Sequence, residues 1–265
     1  MTRLSLIASL IPPCRRLVDI GSDHAAVPIA LLGRGVCQRA VITDIRKGPL
    51  DVARRRVEAA GLSDRCGFIL SDGLDRVDLQ EGDVLLISGL GGENIAGIVE
   101  RGYCRLAPVR RMILQPQTKE EALRSMLNRL GISIADEQAA VEDRRPYLAV
   151  VCGRVSEPYG APLTPLQLQF GPVILDRAQK LLLTCSPPKA GTGVPEAFVS
   201  CDGDGSFTDI YKALQSLSLS SAVSVEDRAR LVYLTAKIDK INRRSRFHPD
   251  DKTVLAELLS RLRTY

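Results

Sequence analysis

Acidic residues recur in this chain where short apolar runs give way to glycine or serine. Arg16-Leu17-Val18-Asp19-Ile20 passes into Gly21-Ser22-Asp23-His24, and Ala40-Val41-Ile42-Thr43 ends on Asp44 with Ile45 following. Phe68-Ile69-Leu70-Ser71 leads into Asp72-Gly73. Asp83-Val84-Leu85-Leu86-Ile87 leads into Ser88-Gly89-Leu90-Gly91-Gly92, and Arg111-Met112-Ile113-Leu114 into Gln115-Pro116. In a doubly wound sheet, ligands sit beyond the carboxyl ends of the strands, so these five turns sample one site. A glycine at position 21 lets backbone approach a ligand closely. The G-x-G-x-x-G loop that cradles a diphosphate is absent. Asp44 lies 23 residues after Gly21, near the offset at which a carboxylate takes ribose hydroxyls. Asp72-Gly73 suits an adenine edge or its amino group, and the glycine-rich loop after Ser88 sits beside the reacting centre. A ribose carboxylate, no phosphate loop and several small residues describe a site for a nucleoside cofactor lacking a diphosphate, namely S-adenosylmethionine. The expected cofactor contacts are Asp19, Gly21, Ser22, Asp44, Ile45, Asp72, Gly73, Ser88, Gly89, Leu90 and Gly91. Taken singly, each has a plainer explanation as a turn or helix cap; their succession at strand ends carries the argument. Asp23 and His24 are the candidate catalytic pair. Asp23 would hold the cofactor's charged end or the substrate amino group, with His24 beside it. The alternative is that the two cap the following helix.

The elements that must position these residues are legible as alternating periods. Strands are predicted over 16–20, 40–44, 68–73, 83–88 and 111–116, with helices over 27–32, 49–60 and 120–130, the last stopped by Gly131. Two further strand-like runs, 132–139 and 147–154, close the sheet as a hairpin. Alternation of this kind with apolar strand cores means a parallel, doubly wound α/β sheet. After residue 155 the texture changes. Pro158, Gly160, Pro162 and Pro165 mark a linker, helices are predicted over 173–183, 208–217 and 225–246, and 184–207 reads as a loop or flexible insert. Leu231, Leu234, Ile238 and Ile241 repeat with the spacing of a short coiled-coil seam or of a helix packed on the main domain. The division expected is 1–155 for the sheet domain and 156–265 for a helical extension.

The chain also resembles the bacterial TrmK family of tRNA (adenine-N1)-methyltransferases, which modify adenine 22 in the D-arm. The residues carrying the likeness are Arg3-Leu4, Asp19-Ile20-Gly21-Ser22-Asp23-His24-Ala25, Gly48-Pro49, Gly89-Leu90-Gly91-Gly92, Leu114-Gln115-Pro116, Glu142-Asp143 with Tyr147, and Phe170-Gly171-Pro172 followed by Leu175. The resemblance implies a Rossmann-like class I methyltransferase sheet with a helical, coiled-coil-like C-terminal extension. It implies S-adenosyl-L-methionine as cofactor and tRNA as partner, with Arg3, Gly92, Gln115, Pro116 and Tyr147 on the substrate side. Ala26 stands where the family usually has tyrosine, Leu148 where glutamate often follows the tyrosine, and 184–207 interrupts the first long C-terminal helix. Where amino-methyltransferases often carry N/D-P-P-Y/F, this chain has Ser88-Gly89-Leu90-Gly91-Gly92. Catalysis is therefore expected to be mainly positional.

The bulk composition sets bounds on these readings. Of 265 residues, 45% are apolar and 25% charged, as in a soluble globular protein. No apolar run is long enough to span a membrane, and Met1-Thr2-Arg3-Leu4 lacks the features of a secretory leader, so a cytoplasmic location is expected. Seven scattered cysteines without a C-x-x-C pair, and two histidines, argue against a disulfide frame and a metal centre. His248, beside Pro249 and Asp250, reads as structural or solvated. The net charge is +5, and residues 208–265 carry 11 basic against 7 acidic side chains. Lys237, Lys240, Arg243 and Arg244, with Arg246, therefore form either a phosphate-tracking arm or a solvated helix face. Arg54-Arg55-Arg56 reads as a solvated face. A monomer or weak dimer is expected. Two other functions stay open: a small-molecule or protein methyltransferase, and a non-catalytic RNA-binding protein on the same fold.

Overall fold

The computed structural model describes residues 1–22, 24–155, 161–184, 207–244 and 249–263. Asp23, Arg246, His248 and the expected insert, save its end residues 184 and 207, lie outside the described residues. Two compact units are present: residues 1–137 with 147–162, and residues 138–146 with 163–265.

The chain begins with α1 (Arg3–Leu10), then β1 (Cys14–Ile20), α2 (Ala26–Gly33), β2 (Cys37–Asp44), α3 (Lys47–Ala59), β3 (Cys66–Leu70), β4 (Asp83–Leu90) and α4 (Gly92–Gly102). There follow β5 (Val109–Pro116), α5 (Glu120–Arg129), β6 (Ile134–Glu142) and β7 (Arg145–Cys152). The seven strands lie in the order β3-β2-β1-β4-β5-β7-β6. Neighbours from β3 to β5 are parallel, and β7 runs antiparallel to β5, pairing Met112 with Cys152 and Ile113 with Val151. The order reverses direction at β1, so the crevice beyond the carboxyl ends of β1 and β4 is the switch point where α/β sheets hold ligands.

Burial on both faces explains the near-continuous apolar runs of the inner strands. Leu17, Val18, Ile42, Leu85 and Leu86 are all shielded from solvent, and one core cluster joins β1, β2 and β4 to α1, α2 and α3. Helix α1 has no counterpart among the predicted elements. Its signal is the pair Thr2 and Ser5: the Thr2 Oγ1 caps the helix by accepting from the Ser5 N–H at 3.1 Å, and Leu6 and Ile7 one turn on are fully buried. Helix α4 is also unanticipated, because the glycine-rich stretch that reads as a loop supplies its first residue. The register of β4 against β5 shifts between Ser88 and Leu90, a bulge of the kind that re-aims backbone beside functional sites.

In the second unit, α6 (Pro165–Phe170) and α7 (Pro172–Thr184) precede α8 (Phe207–Leu219), α9 (Val225–Arg244) and α10 (Pro249–Arg263). Pro165, expected in a linker, occupies the first turn of α6 behind a Thr164–Gln167 capping box. The stripe Leu231, Leu234, Ile238 and Ile241 is buried, with α9 packed against α7, α8 and α10.

Candidate active site

The first unit contains a cleft of about 400 Å³ at the carboxyl ends of β1, β2 and β4 and the start of the turn after β3, within the size range of small-molecule sites. Of the residues expected at a cofactor, Asp19, Gly21, Ser22, Asp44, Ile45, Asp72, Gly73, Ser88, Gly89 and Leu90 all line it. His24 and Arg3 line it too. The sequence reading did not foresee Arg46, Ser71, Ile98 and Gln117, which also line it.

Asp19 closes β1 and is only 3% exposed. Burial pushes its carboxyl up to about 7, partly offset by a hydrogen bond from the Ser22 hydroxyl. A group poised there ionises readily once a cation arrives. Gly21 turns the chain at φ +71°, a conformation that favours glycine, and its N–H and that of Ser22 both donate to the Thr43 carbonyl. This clamp fastens the β1 turn to the end of β2, which sets Asp19 and Asp44 in one cleft. Ala25 at the entrance to α2 is also left-handed, at φ +52°, which is uncommon for a residue with a Cβ.

At the end of β2, the Asp44 Oδ1 accepts from the Arg46 N–H at 2.8 Å, which holds the carboxylate in place and leaves Oδ2 uncommitted among the described residues. Ile45 beside it is 61% exposed, which leaves an apolar surface open in the cleft. Asp72 is gripped from α4 by Arg101, whose Nη2 donates to Oδ1 at 2.8 Å. Behind Asp72, Gly73 has φ +56°, and a Cβ there would stand 2.9 Å from Ile98 Cγ2, so only glycine keeps this part of the wall.

The fourth wall rests on Gln115, which is fully buried at the end of β5. Its Oε1 accepts from the Gly89 N–H and from Arg3 Nη1, both at 3.3 Å, while its Nε2 donates to the Pro116 carbonyl. Gln115 therefore ties the β4 bulge, with Gly89 at φ +80°, to the first residue of α1. Arg3 in turn lies over the Tyr147 ring, 5.9 Å from its centroid. Gln115, Pro116 and Tyr147 are not among the residues that line the cleft. Gly91 and Gly92 also fall outside it. Gly91 caps α4, and a Cβ on Gly92 would lie 2.1 Å from the Lys119 carbonyl oxygen, so Gly92 serves the close approach of two backbone segments.

The basic residues expected to meet phosphates divide. Lys240, Arg243 and Arg244 are exposed on α9, but Lys237 is only 7% exposed. Arg244 forms a bidentate pair with Asp251, both contacts at 2.7 Å. Among the described residues, no group of three or more His, Cys, Asp or Glu side chains is placed to hold a metal ion, and no helix is long and apolar enough to cross a membrane.

Comparison with known proteins agrees with this geometry. A Bacillus subtilis tRNA (adenine(22)-N(1))-methyltransferase is 34% identical over 149 residues, a stretch covering 56% of this chain and 63% of that protein. The crystal structure of a Streptococcus pneumoniae protein, a candidate tRNA (m1A22) methyltransferase in complex with S-adenosyl-L-methionine, matches 97% of this chain and 98% of its own. Its TM-score is 0.65 and its identity 27%. The Bacillus subtilis TrmK structure shares the fold, with a TM-score of 0.64 over 97% of each chain at 24% identity. A methyltransferase domain model matches residues 1–150, more than half of the chain and the whole of the cleft, and the protein belongs to the methyltransferase domain family.

Proposed function

We propose that the protein is an S-adenosylmethionine-dependent tRNA methyltransferase acting on N1 of adenine 22. The observation that carries this is the convergence of Asp19, Asp44 and Asp72 on one cleft, in a chain 34% identical over its matched stretch to a protein of that activity. The residues fit the cofactor. Asp44 Oδ2 is open to ribose hydroxyls, Asp72 faces the cleft while Arg101 holds its other oxygen, and Ile45 offers an exposed apolar surface. Asp19 meets the ammonium end, where its raised pKa returns toward the ordinary carboxylate range beside a cation.

Bound there, S-adenosylmethionine supplies an electrophilic methyl group on a sulfonium. The chain's task is alignment, which accounts for most of the barrier lowering in a displacement between held partners. Adenine N1 has a free lone pair at neutral pH and needs no base before attack. The target base must leave its stack, at a cost of a few kcal/mol. Gln115 keeps the Gly89 backbone and Arg3 at the mouth where the base enters. Asp23 follows Ser22 in the sequence and is the carboxylate assigned to the developing positive charge on adenine. Asp23→Ala is expected to keep cofactor affinity within a few fold and to lower methyl transfer at least tenfold. A parallel fall in both makes Asp23 a cofactor ligand instead.

A tRNA substrate fits a cytoplasmic site of action. The deciding experiment incubates the protein with S-adenosylmethionine and bulk tRNA, followed by nucleoside analysis. N1-methyladenosine should form, and a transcript with guanine at position 22 should remain unmodified. Cofactor binding without any methylated tRNA overturns the assignment.

A further inference from the structure

The amino ends of the same strands carry a second cavity, of about 350 Å³, bordered by Arg15 and Arg16 from β1, Arg39 from β2, and Asp64 and Arg65 ahead of β3. Its origin lies in the β3–β4 connection. Residues 71–82 cross back to the middle of the sheet without forming a helix, although parallel crossovers usually contain one. The sheet there is left bare, with Gly67 exposed and Val41 half-buried at the cavity floor.

The charges around this floor are not balanced. Arg16 is neutralised by Asp83 through two contacts of 2.8 and 2.6 Å. All three guanidinium nitrogens of Arg65 donate to carbonyl oxygens, those of Gln38, Leu32 and Cys37, so its cation is held rigidly without a carboxylate in contact. The side chains of Arg15 and Arg39 make no hydrogen bond or ion pair among the described residues, and both residues are exposed. Arg39 is moreover the register partner of Arg16 on the adjacent strand, which sets two like charges side by side. Asp64 is the one acidic residue bordering the cavity, against four arginines of which Arg16 is paired with Asp83.

We propose that this cavity is a phosphate-binding site, separate from the methyltransferase cleft. The fixed Arg65 guanidinium and the uncommitted Arg39, over a floor of glycine and valine with Arg15 at the rim, match a tetrahedral anion with several acceptor oxygens. Two sources share that chemistry: the phosphodiester backbone of RNA, and a free phosphate ester. The RNA source rests on the tRNA assignment above. Arg39 and Asp44 are five residues apart on β2, roughly 17 Å, so an RNA of more than one helical turn at the cleft reaches both ends of the strand.

The test uses the double variant Arg15→Gln/Arg39→Gln, whose altered side chains have no partners to lose. Its S-adenosylmethionine affinity, measured by calorimetry, checks that the fold and cleft are intact. With inorganic pyrophosphate as probe, the parent is expected to bind saturably and the variant at least tenfold more weakly if the source is a free phosphate ester. With tRNA, the slope of log affinity against log salt is expected to fall by about 1.5 in the variant if the source is RNA backbone, since each lost contact removes about 0.7–0.9. Either loss supports the site. Identical pyrophosphate binding, or none, together with an unchanged tRNA salt slope overturns it. The pyrophosphate arm is independent of whether tRNA is methylated, so the two assignments can fail separately.

Discussion

Asp19 and Asp44 lie at the carboxyl ends of neighbouring strands in different surroundings. Asp44 is held by the Arg46 N–H with its second oxygen uncommitted among the described residues, whereas Asp19 is buried with its pKa raised to about 7. Replacing Asp44 with alanine should weaken S-adenosylmethionine binding by about 1.5–3 kcal/mol, the worth of hydrogen bonds to a charged group. Calorimetry on the folded variant checks it, and an unchanged affinity removes Asp44 from the ribose. For Asp19 the linkage runs through protons. The folded state keeps its proton up to pH about 7 while the unfolded state loses it near 3.8, so Asp19 contributes stability below pH 4 that is lost as pH rises to 7. Asp19→Asn should therefore gain stability relative to the parent across that window, by up to a few kcal/mol, in denaturant titrations at pH 4, 5.5 and 7. Cofactor affinity of the parent should rise as pH passes through about 7 and level off roughly one unit above it, because the ammonium group selects the ionised carboxylate. Asp19→Asn should show no such rise.

At the scale of elements, the site depends on how strand ends are fastened to one another. The β4 bulge at Gly89 has meaning only beside Gln115 on β5, and Gln115 is also what reaches α1. The outer part of the sheet is fastened differently, by Arg124 on α5 and Glu137 on β6, in contact at 2.8 Å with both side chains fully buried. Removing one partner of such a pair leaves an uncompensated buried charge and costs about 3–5 kcal/mol. Arg124→Met is accordingly expected to lower stability by that amount, read from urea or thermal unfolding. Arg124→Met combined with Glu137→Leu should recover most of the loss. A single variant as stable as the parent rules out the ion pair as a fastening.

Across the whole molecule, charge is sorted by strand direction. Asp19, Asp44 and Asp72 line the cleft at the carboxyl ends, and Arg15, Arg16, Arg39 and Arg65 border the cavity at the amino ends. The C-terminal unit adds a third charged region, on α9. There the burial of Lys237 and the pairing of Arg244 with Asp251 leave Lys240 and Arg243 as the side chains suited to phosphates. Neutralising Lys240 and Arg243 together should reduce the salt slope of tRNA binding by about 1.5 with cofactor affinity unchanged. Lys237→Ala should act on thermal stability and leave the slope alone. An unaltered slope in the Lys240/Arg243 variant makes that face solvated surface.

Strand-end residues were readable because their position follows from local pattern. An apolar run, its end and the next polar residue are neighbours in the chain, and parallel topology sends every such end to the same edge of the sheet. Asp19, Asp44 and Asp72 could therefore be named, along with the glycines that turn after them. The Gln115 bridge and the tie of Asp72 to Arg101 were not readable, because they join residues 26 to 112 positions apart through packing. The same holds for losses. The chain shows Lys237 as one more cation and Gly92 as one more loop glycine, and only packing withdraws the first from solvent and presses the second against Lys119. The period and sign of the residues thus set the sheet, the edge where chemistry occurs and the class of cofactor. Which side chains are free to act depends on burial and pairing, and these exist only once the elements have packed.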